Sequence, residues 1–446
     1  MEYLIIIAQF ILSLSILIVL HEMGHFLPAR LFGTRVEKFY LFFNPWFSLF
    51  KKQIGETEYG IGWLPLGGYV KISGMMDESF DKEQMALPPQ PYEFRSKPAW
   101  QRLIIMVGGV TVNFILGFLL WGMVLFIWGD SYLPTENVKY GVYVDDLAKE
   151  IGLQNGDKII SVDGKPMEKF GQLKRDLIIN QAATIQVDRK GQQVDVSIND
   201  EQRGKLTGRN VMFAVPRTPF VAAKVIKDSP AKEAGIEKGD SIIALNGTPT
   251  LYFDQFKDMA KGLPDNDIEV TLVREGQTQN IQVRLDSCGR MGVQPFAAAR
   301  YLETASETYG LGTAMGLGFS KGVDFLMDNI KGFALMFTGD IKPSDGLGGF
   351  GTIANLFPKQ WEWERFWTIT AILSLILAFM NLLPIPLLDG GHVMFLIYEM
   401  IAGKAPNEKF LEYAQTAGLV ILMALLLYAN GMDVYRSWFM DAPPCS

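Results

Sequence analysis

Eighteen consecutive residues without a charge, Tyr3 to Leu20 (YLIIIAQFILSLSILIVL), place the strongest constraint on this chain. Such a run is about the shortest helix that spans a hydrocarbon core of ~30 Å. A cleavable leader would need a basic segment before the run and a small-residue cleavage site after it, and the sequence has neither. Further apolar runs occupy 103–128, 366–388 and 412–430. The economical expectation is therefore a multi-pass α-helical membrane protein with four transmembrane helices. A fifth apolar stretch, 311–338, is interrupted by Lys321, Asp324, Asp328 and Lys331 at spacings of three and four. That pattern predicts an amphipathic helix lying on a surface. With 49% apolar and only 20% charged residues the chain is no disordered tail, and a net charge of −7 argues against a nucleic-acid partner. Two cysteines, Cys288 and Cys445, are too few for a disulfide framework or a multi-cysteine zinc site.

Lysines and arginines flanking the spans set the expected orientation. They cluster from Arg30 to Arg102, through Lys38, Lys51, Lys71 and Lys82, and recur at Lys404 and Lys409. Both connections are therefore expected in the cytoplasm, with the two termini and the long 129–365 region outside.

That outer region repeats itself. GLQNGDKIISVDGKPM at 152–167 aligns with GIEKGDSIIALNGTPT at 235–250, so Gly152, Gly156, Asp157 and Gly164 map at one offset onto Gly235, Gly239, Asp240 and Gly247. In each copy the Gly-Asp turn, apolar pairs and a Asp/Asn-Gly step read as strand, turn and strand, followed by a helix and further strands. The pattern resembles bacterial PDZ domains, the second copy most fully in SPAKEAGIEKGD at 229–240. The expected organisation is spans one and two within 1–128, one PDZ module at 129–215, another at 216–300, an amphipathic-helix linker at 301–365, and spans three and four within 366–446. PDZ modules capture peptide ends by adding them to a sheet edge. Peptide capture and a role as spacer or size filter are both open to such a pair.

The chemistry lies in H-E-M-G-H, His21 to His25, where the first uncharged run ends. On a helix, residues i and i+4 share a face, so both imidazoles can reach one metal ion, with Glu22 beside it facing a water molecule. Zinc suits the set because it lowers the pKa of its water to about 7. Ionisable side chains at the edge of a membrane span are costly and usually functional. A catalytic zinc wants a third protein ligand. The best source is NLLPIPLLDGGH, 381–392, where Asp389 and His392 are the only ionisable groups.

N-x-x-P-x-P-x-L-D-G-G paired with H-E-x-x-H resembles the site-2 protease family of intramembrane zinc metalloproteases, in a form with two PDZ domains between spans two and three. The resemblance covers essentially the whole chain. It implies one zinc ion held by His21, His25 and Asp389, Glu22 as general base and acid, and His392 as a bystander or a group that supports the ligands. Gly109-x-x-x-Asn113 resembles the family's G-x-x-x-N, and EYGIGWLPLGGYVKI (58–72) looks like its membrane-reentrant β-loop. Pro384 and Pro386 cannot continue a helix. The third span should therefore loosen there and offer carbonyls and the Asn381 amide to an unwound substrate, with Gly67 and Gly68 along its other edge. The family further implies a bacterial inner-membrane location with the active site towards the cytoplasm. Its substrates are single-span membrane proteins already trimmed outside, such as an anti-sigma factor, and possibly remnant signal peptides. The reading set against this one is a catalytically silent, membrane-anchored PDZ adaptor. A metal transporter would want its ligands at the bilayer midplane on several helices.

Overall fold

The computed structural model describes residues 2–75, 87–208 and 211–439; Lys82 and Cys445 lie outside them. Four helices among the described residues are long and apolar enough to cross a membrane: Glu2–Leu31, Ala99–Trp128, Trp363–Leu382 and Lys409–Trp438. With several β-sheets between the second and third, the chain is a membrane protein carrying β-rich inserts. Two compact units are distinguished. The first holds residues 1–129, 308–330 and 348–434, and the second holds 130–307, 331–347 and the chain from 435 onward.

In the first unit the helices are joined through polar side chains that would otherwise sit unpaired among apolar ones. Ser13 of the first span and Thr370 of the third share a hydrogen bond of 2.9 Å, and Gln9 donates to the Pro358 carbonyl at 2.8 Å. Between spans one and two lies a sheet of β1 (Val36–Leu41), β2 (Phe43–Ile54), β3 (Thr57–Leu64) and β4 (Tyr69–Ile72), ordered β2-β3-β1-β4. One residue, Phe42 with φ 69°, separates β1 from β2, too few for a hairpin; β3 enters parallel to β1 and fills the gap. Strand β4 is left at an edge, and β2 at the other edge exposes Trp46, Phe47 and Phe50.

The helix Leu311–Thr338 departs from its expected place. Its stripe of small residues, Ala314, Gly318 and Gly322, is buried. A Cβ on Gly318 would lie 2.4 Å from the Gly122 nitrogen, and one on Gly322 would lie 2.5 Å from the Phe118 ring. Half of the helix is thus seated against the second span instead of lying free on a surface. Of its four spaced charges, Asp324 and Lys331 are exposed, and Lys321 and Asp328 are partly buried. The inner face is defined by missing side chains, which hydrophobic patterning does not register.

In the second unit both sequence repeats fold alike. The first forms a four-stranded sheet from Lys158–Val162, Lys165–Pro166, Thr184–Arg189 and Gln192–Ser197; the second forms one of the same strand order from Ser241–Leu245, Thr248–Pro249, Asp267–Arg274 and Gln277–Arg284. Each has its own apolar core, one around Phe213, Leu177 and Ile185, the other around Phe220, Ile242 and Val270. The Asp/Asn-Gly steps form two-residue turns in which both φ angles are positive, Asp163 and Gly164 in one copy and Asn246 and Gly247 in the other. The insert opens and closes on one ribbon: Asp130–Tyr132 pairs antiparallel with Ala305–Glu307.

The aspartate of each Gly-Asp turn does more than turn the chain. Asp157 and Asp240 are each 1% exposed. Each receives Nε and Nη2 of one arginine, Arg189 at 2.9 and 2.7 Å and Arg274 at 2.8 and 2.7 Å. The same guanidinium also donates to the carbonyl of Gly152 or Gly235 at 2.8 Å. Burial works against the Asp240 charge, but the Arg274 hydrogen bonds and the Glu237 N–H outweigh it and hold the carboxyl below its ordinary range. A folded-state pKa that is depressed contributes stability above the ordinary carboxylate range and loses it as pH falls through that range. Replacing Arg274 by Met should therefore cost the second repeat about 2–3 kcal/mol near neutral pH. It should also flatten the acid limb of its stability curve, as read by denaturant unfolding across pH.

Candidate active site

The first span continues unbroken past the uncharged run to Leu31, so H-E-M-G-H lies inside the helix and not after it. His21 and His25 meet edge to face one turn apart, ring centroids 4.9 Å from each other, and both are buried. What buries them is the second span, at a place where two backbones touch. A Cβ on Gly24 would stand 2.5 Å from the Gly108 carbonyl oxygen, and one on Gly108 would stand 2.0 Å from that of Gly24. Next to this contact, a Cβ on Gly109 would lie 2.3 Å from His25 Nε2 and 2.8 Å from His21 Cε1. Glycine at these positions is a condition for the imidazoles to fit.

The second span also fixes how the rings face. His25 Nδ1 lies 2.8 Å from the Ile105 carbonyl, which can only accept, so this nitrogen carries a proton and in the neutral ring Nε2 has the lone pair. His21 Nδ1 lies 3.0 Å from the Asn113 amide. Ser374 of the third span donates to the Asn113 carbonyl at 2.8 Å and so ties the second and third spans together here.

The third span ends at Leu382, six residues before the end of its apolar run at 388. Pro384 and Pro386 lack N–H donors, and Leu387 takes φ 95°, so residues 383–388 form an irregular connection. A new helix then starts at Asp389 and runs to Ala402. The two glycines after Asp389 are therefore helical, not a turn. A Cβ on Gly390 would lie 2.3 Å from the Leu382 oxygen, and one on Gly391 would lie 2.5 Å from the Ile385 oxygen, so the connection can fold back tightly onto the helix it feeds. On the far side, Gly418 of the fourth span lets the Pro386 carbonyl approach closely.

These pieces bring three ligand atoms together. His21 Nε2 and His25 Nε2 are 3.3 Å apart, and Asp389 Oδ2 lies 3.3 Å from each. The three groups form a candidate metal cluster from two remote parts of the chain. Asp389 Oδ2 is buried without a hydrogen-bond donor, as a ligand oxygen would be. Ligands bound tetrahedrally at ~2.0–2.2 Å stand about 3.3–3.6 Å apart. The donor set and its triangle thus fit zinc, with one vertex left for water or substrate.

The triangle opens on a cavity of about 500 Å³. Glu22 and His392 line it, as do Asn381, Gly67 and Gly68, together with β4. Asn381 Nδ2 is 3.3 Å from His21 Nε2, and Gly68 lies against Ile18 and the Glu22 side chain. Pro384 and Pro386 are not among the lining residues; they shape the connection that delivers Leu387, Leu388 and Asp389 to the cavity. Sequence reasoning passed over Ile105, which acts through its backbone carbonyl and so leaves no letter to find. It also passed over Ser374 and the cavity-lining Gln415 of the fourth span, polar residues within apolar runs, a detectable signal.

The sequence description of Peptidase family M50 matches residues 9–425. A Neisseria meningitidis protein named as a zinc metalloprotease is 30% identical, covering 96% of this chain and 98% of its own. The Regulator of sigma E protease of Haemophilus influenzae is 26% identical over 98% of this chain and 100% of its own, and that of Salmonella typhimurium is 27% identical over 95% and 97%. A match through both the histidine pair and Asp389, at nearly full length, places the chain in one family: it belongs to Peptidase family M50, the site-2 proteases, and is a metalloprotease.

Proposed function

We propose that this protein is a zinc-dependent intramembrane endopeptidase that cuts the transmembrane segments of single-span membrane proteins. The observation that carries the reading is the 3.3 Å triangle of His21, His25 and Asp389 beside Glu22 at the wall of one cavity. The two histidines and Asp389 would hold one zinc ion, which when bound supplies a Lewis acid and a water of lowered pKa. Glu22 takes a proton from the attacking water and hands it to the leaving amine nitrogen. Asn381, whose amide already reaches His21, donates to the substrate backbone beside the scissile bond.

A peptide bond in a transmembrane helix has its carbonyl already hydrogen-bonded, so the substrate must be unwound before attack. The place of β4 at an edge of its sheet, along the cavity, supports strand addition as the means, with Gly67 and Gly68 leaving room where the strand enters. The exposed Trp46, Phe47 and Phe50 of β2 support a sheet that dips into lipid as a reentrant loop. The two repeats are read as PDZ modules on the extracytoplasmic side, with both termini, and the catalytic cavity as opening toward the cytoplasm of a bacterial inner membrane. Relatives named Regulator of sigma E protease support a substrate from sigma-factor regulation, such as an anti-sigma factor trimmed on its outer side. Peptide ends held by the modules, or bulk excluded by them, would select it.

Two substitutions test the roles. Glu22→Gln should keep full zinc content and lower cleavage of a membrane-embedded reporter about 10²–10⁴-fold. Undiminished turnover would remove Glu22 from proton transfer, and a wild type that cleaves nothing would favour the silent adaptor. Asp389→Ala should lose bound zinc together with turnover. Normal zinc stoichiometry in that variant would transfer the third ligand position to His392.

A further inference from the structure

We propose that Asn113 is the positioning residue of His21: its amide oxygen accepts the Nδ1–H of the ring and thereby aims the Nε2 lone pair at the ion. The inference rests on the zinc reading above and concerns how the site is held, not whether it exists.

A neutral imidazole carries one proton, on one nitrogen or the other. His21 uses Nε2 toward Asp389 and His25, so a ligand lone pair there requires the proton on Nδ1. A proton on Nδ1 needs an acceptor, and the Asn113 side chain is the group in reach, at 3.0 Å. With Nδ2 facing the ring, the contact would have to run from the amide to an Nδ1 lone pair. That would leave the proton on Nε2, pointing into the ligand triangle. In the same orientation Asn113 Oδ1 is buried with no hydrogen-bond donor, although Asn113 is fully shielded from solvent. The two ends of a carboxamide have nearly the same shape, so a half-turn of the amide exchanges them without moving any other atom. That half-turn puts the acceptor opposite Nδ1 and removes the orphaned oxygen from a place no donor reaches. One rotation thus gives Nδ1–H the acceptor that a ligating Nε2 requires.

The second span then serves both rings by the same rule. The Ile105 carbonyl fixes His25, and the Asn113 amide oxygen fixes His21. Gly109, between them on the helix, leaves the space in which the rings meet. The Ser374 hydrogen bond to the Asn113 carbonyl holds the orienting residue itself in place.

The test compares Asn113→Leu and Asn113→Asp in the purified full-length chain, reading Zn²⁺ affinity by competition with a chelator. The leucine removes the acceptor at similar size and should weaken zinc about 10–100-fold. The aspartate keeps an acceptor but no amide N–H, and should retain wild-type affinity. Equal losses in both variants would overturn the proposal, because the donor end or packing would then be what matters. Undiminished affinity in Asn113→Leu would overturn it as well. His21→Ala serves as the reference: if it binds zinc as tightly as wild type, the metal site itself is misassigned and this inference falls with it. A readout independent of folding is available because the chain has only three histidines, His21, His25 and His392. In ¹⁵N-histidine spectra of the zinc-loaded chain, His21 should show a protonated Nδ1 beside a metal-bound Nε2. Metal bound through Nδ1 would overturn the proposal.

Discussion

The contact of Gly24 with Gly108 is the constraint on which the rest of the membrane unit depends. Two helices can approach backbone to backbone only where neither carries a side chain, and apolar surroundings give no other strong reason for helices to associate. Here the approach brings a carbonyl, an amide and a glycine gap of the second span to the two imidazoles of the first. Polar groups that would be expensive in hydrocarbon thus satisfy one another. The third span enters through Ser13–Thr370 and Ser374–Asn113, so its end, and the helix that opens with Asp389, is set at a fixed place relative to the histidines.

Much of this was legible because the chemistry is written in residue type. Two histidines four apart after an uncharged run, with an isolated aspartate in another apolar run, could be paired on paper, and the structure brings their ligand atoms together. What was not legible depends on shape. The prolines of 383–388 announced a loosening, but not that the span stops at Leu382, that Leu387 is left-handed, or that Asp389 starts another helix. The glycines after it serve close packing inside a helix, which no pattern of letters announces. The helix at 311–338 was placed by its charges, whereas its contact with the second span is made through Ala314, Gly318 and Gly322.

The repeats show the same division. Periodic glycines and the Gly-Asp step announced two copies of one unit, and the two sheets share a strand order. The buried Arg189–Asp157 and Arg274–Asp240 clamps were invisible because each arginine lies far along the chain from its aspartate, on a strand where it reads as a solvated charge. A buried carboxylate must find a partner, and the fold supplies it from the third strand of each sheet.

The ribbon formed by Asp130–Tyr132 and Ala305–Glu307 has an architectural consequence. Neighbouring strands lie only about 4.8 Å apart, so the polypeptide leaves for its long excursion and returns at nearly the same point. The entropic penalty of closing a loop grows only with the logarithm of its length. A stem of this kind makes the spacing of the helices on either side almost indifferent to how much chain is hung beyond it. Modules can be lost, duplicated or exchanged at that junction while the metal-bearing core keeps its geometry.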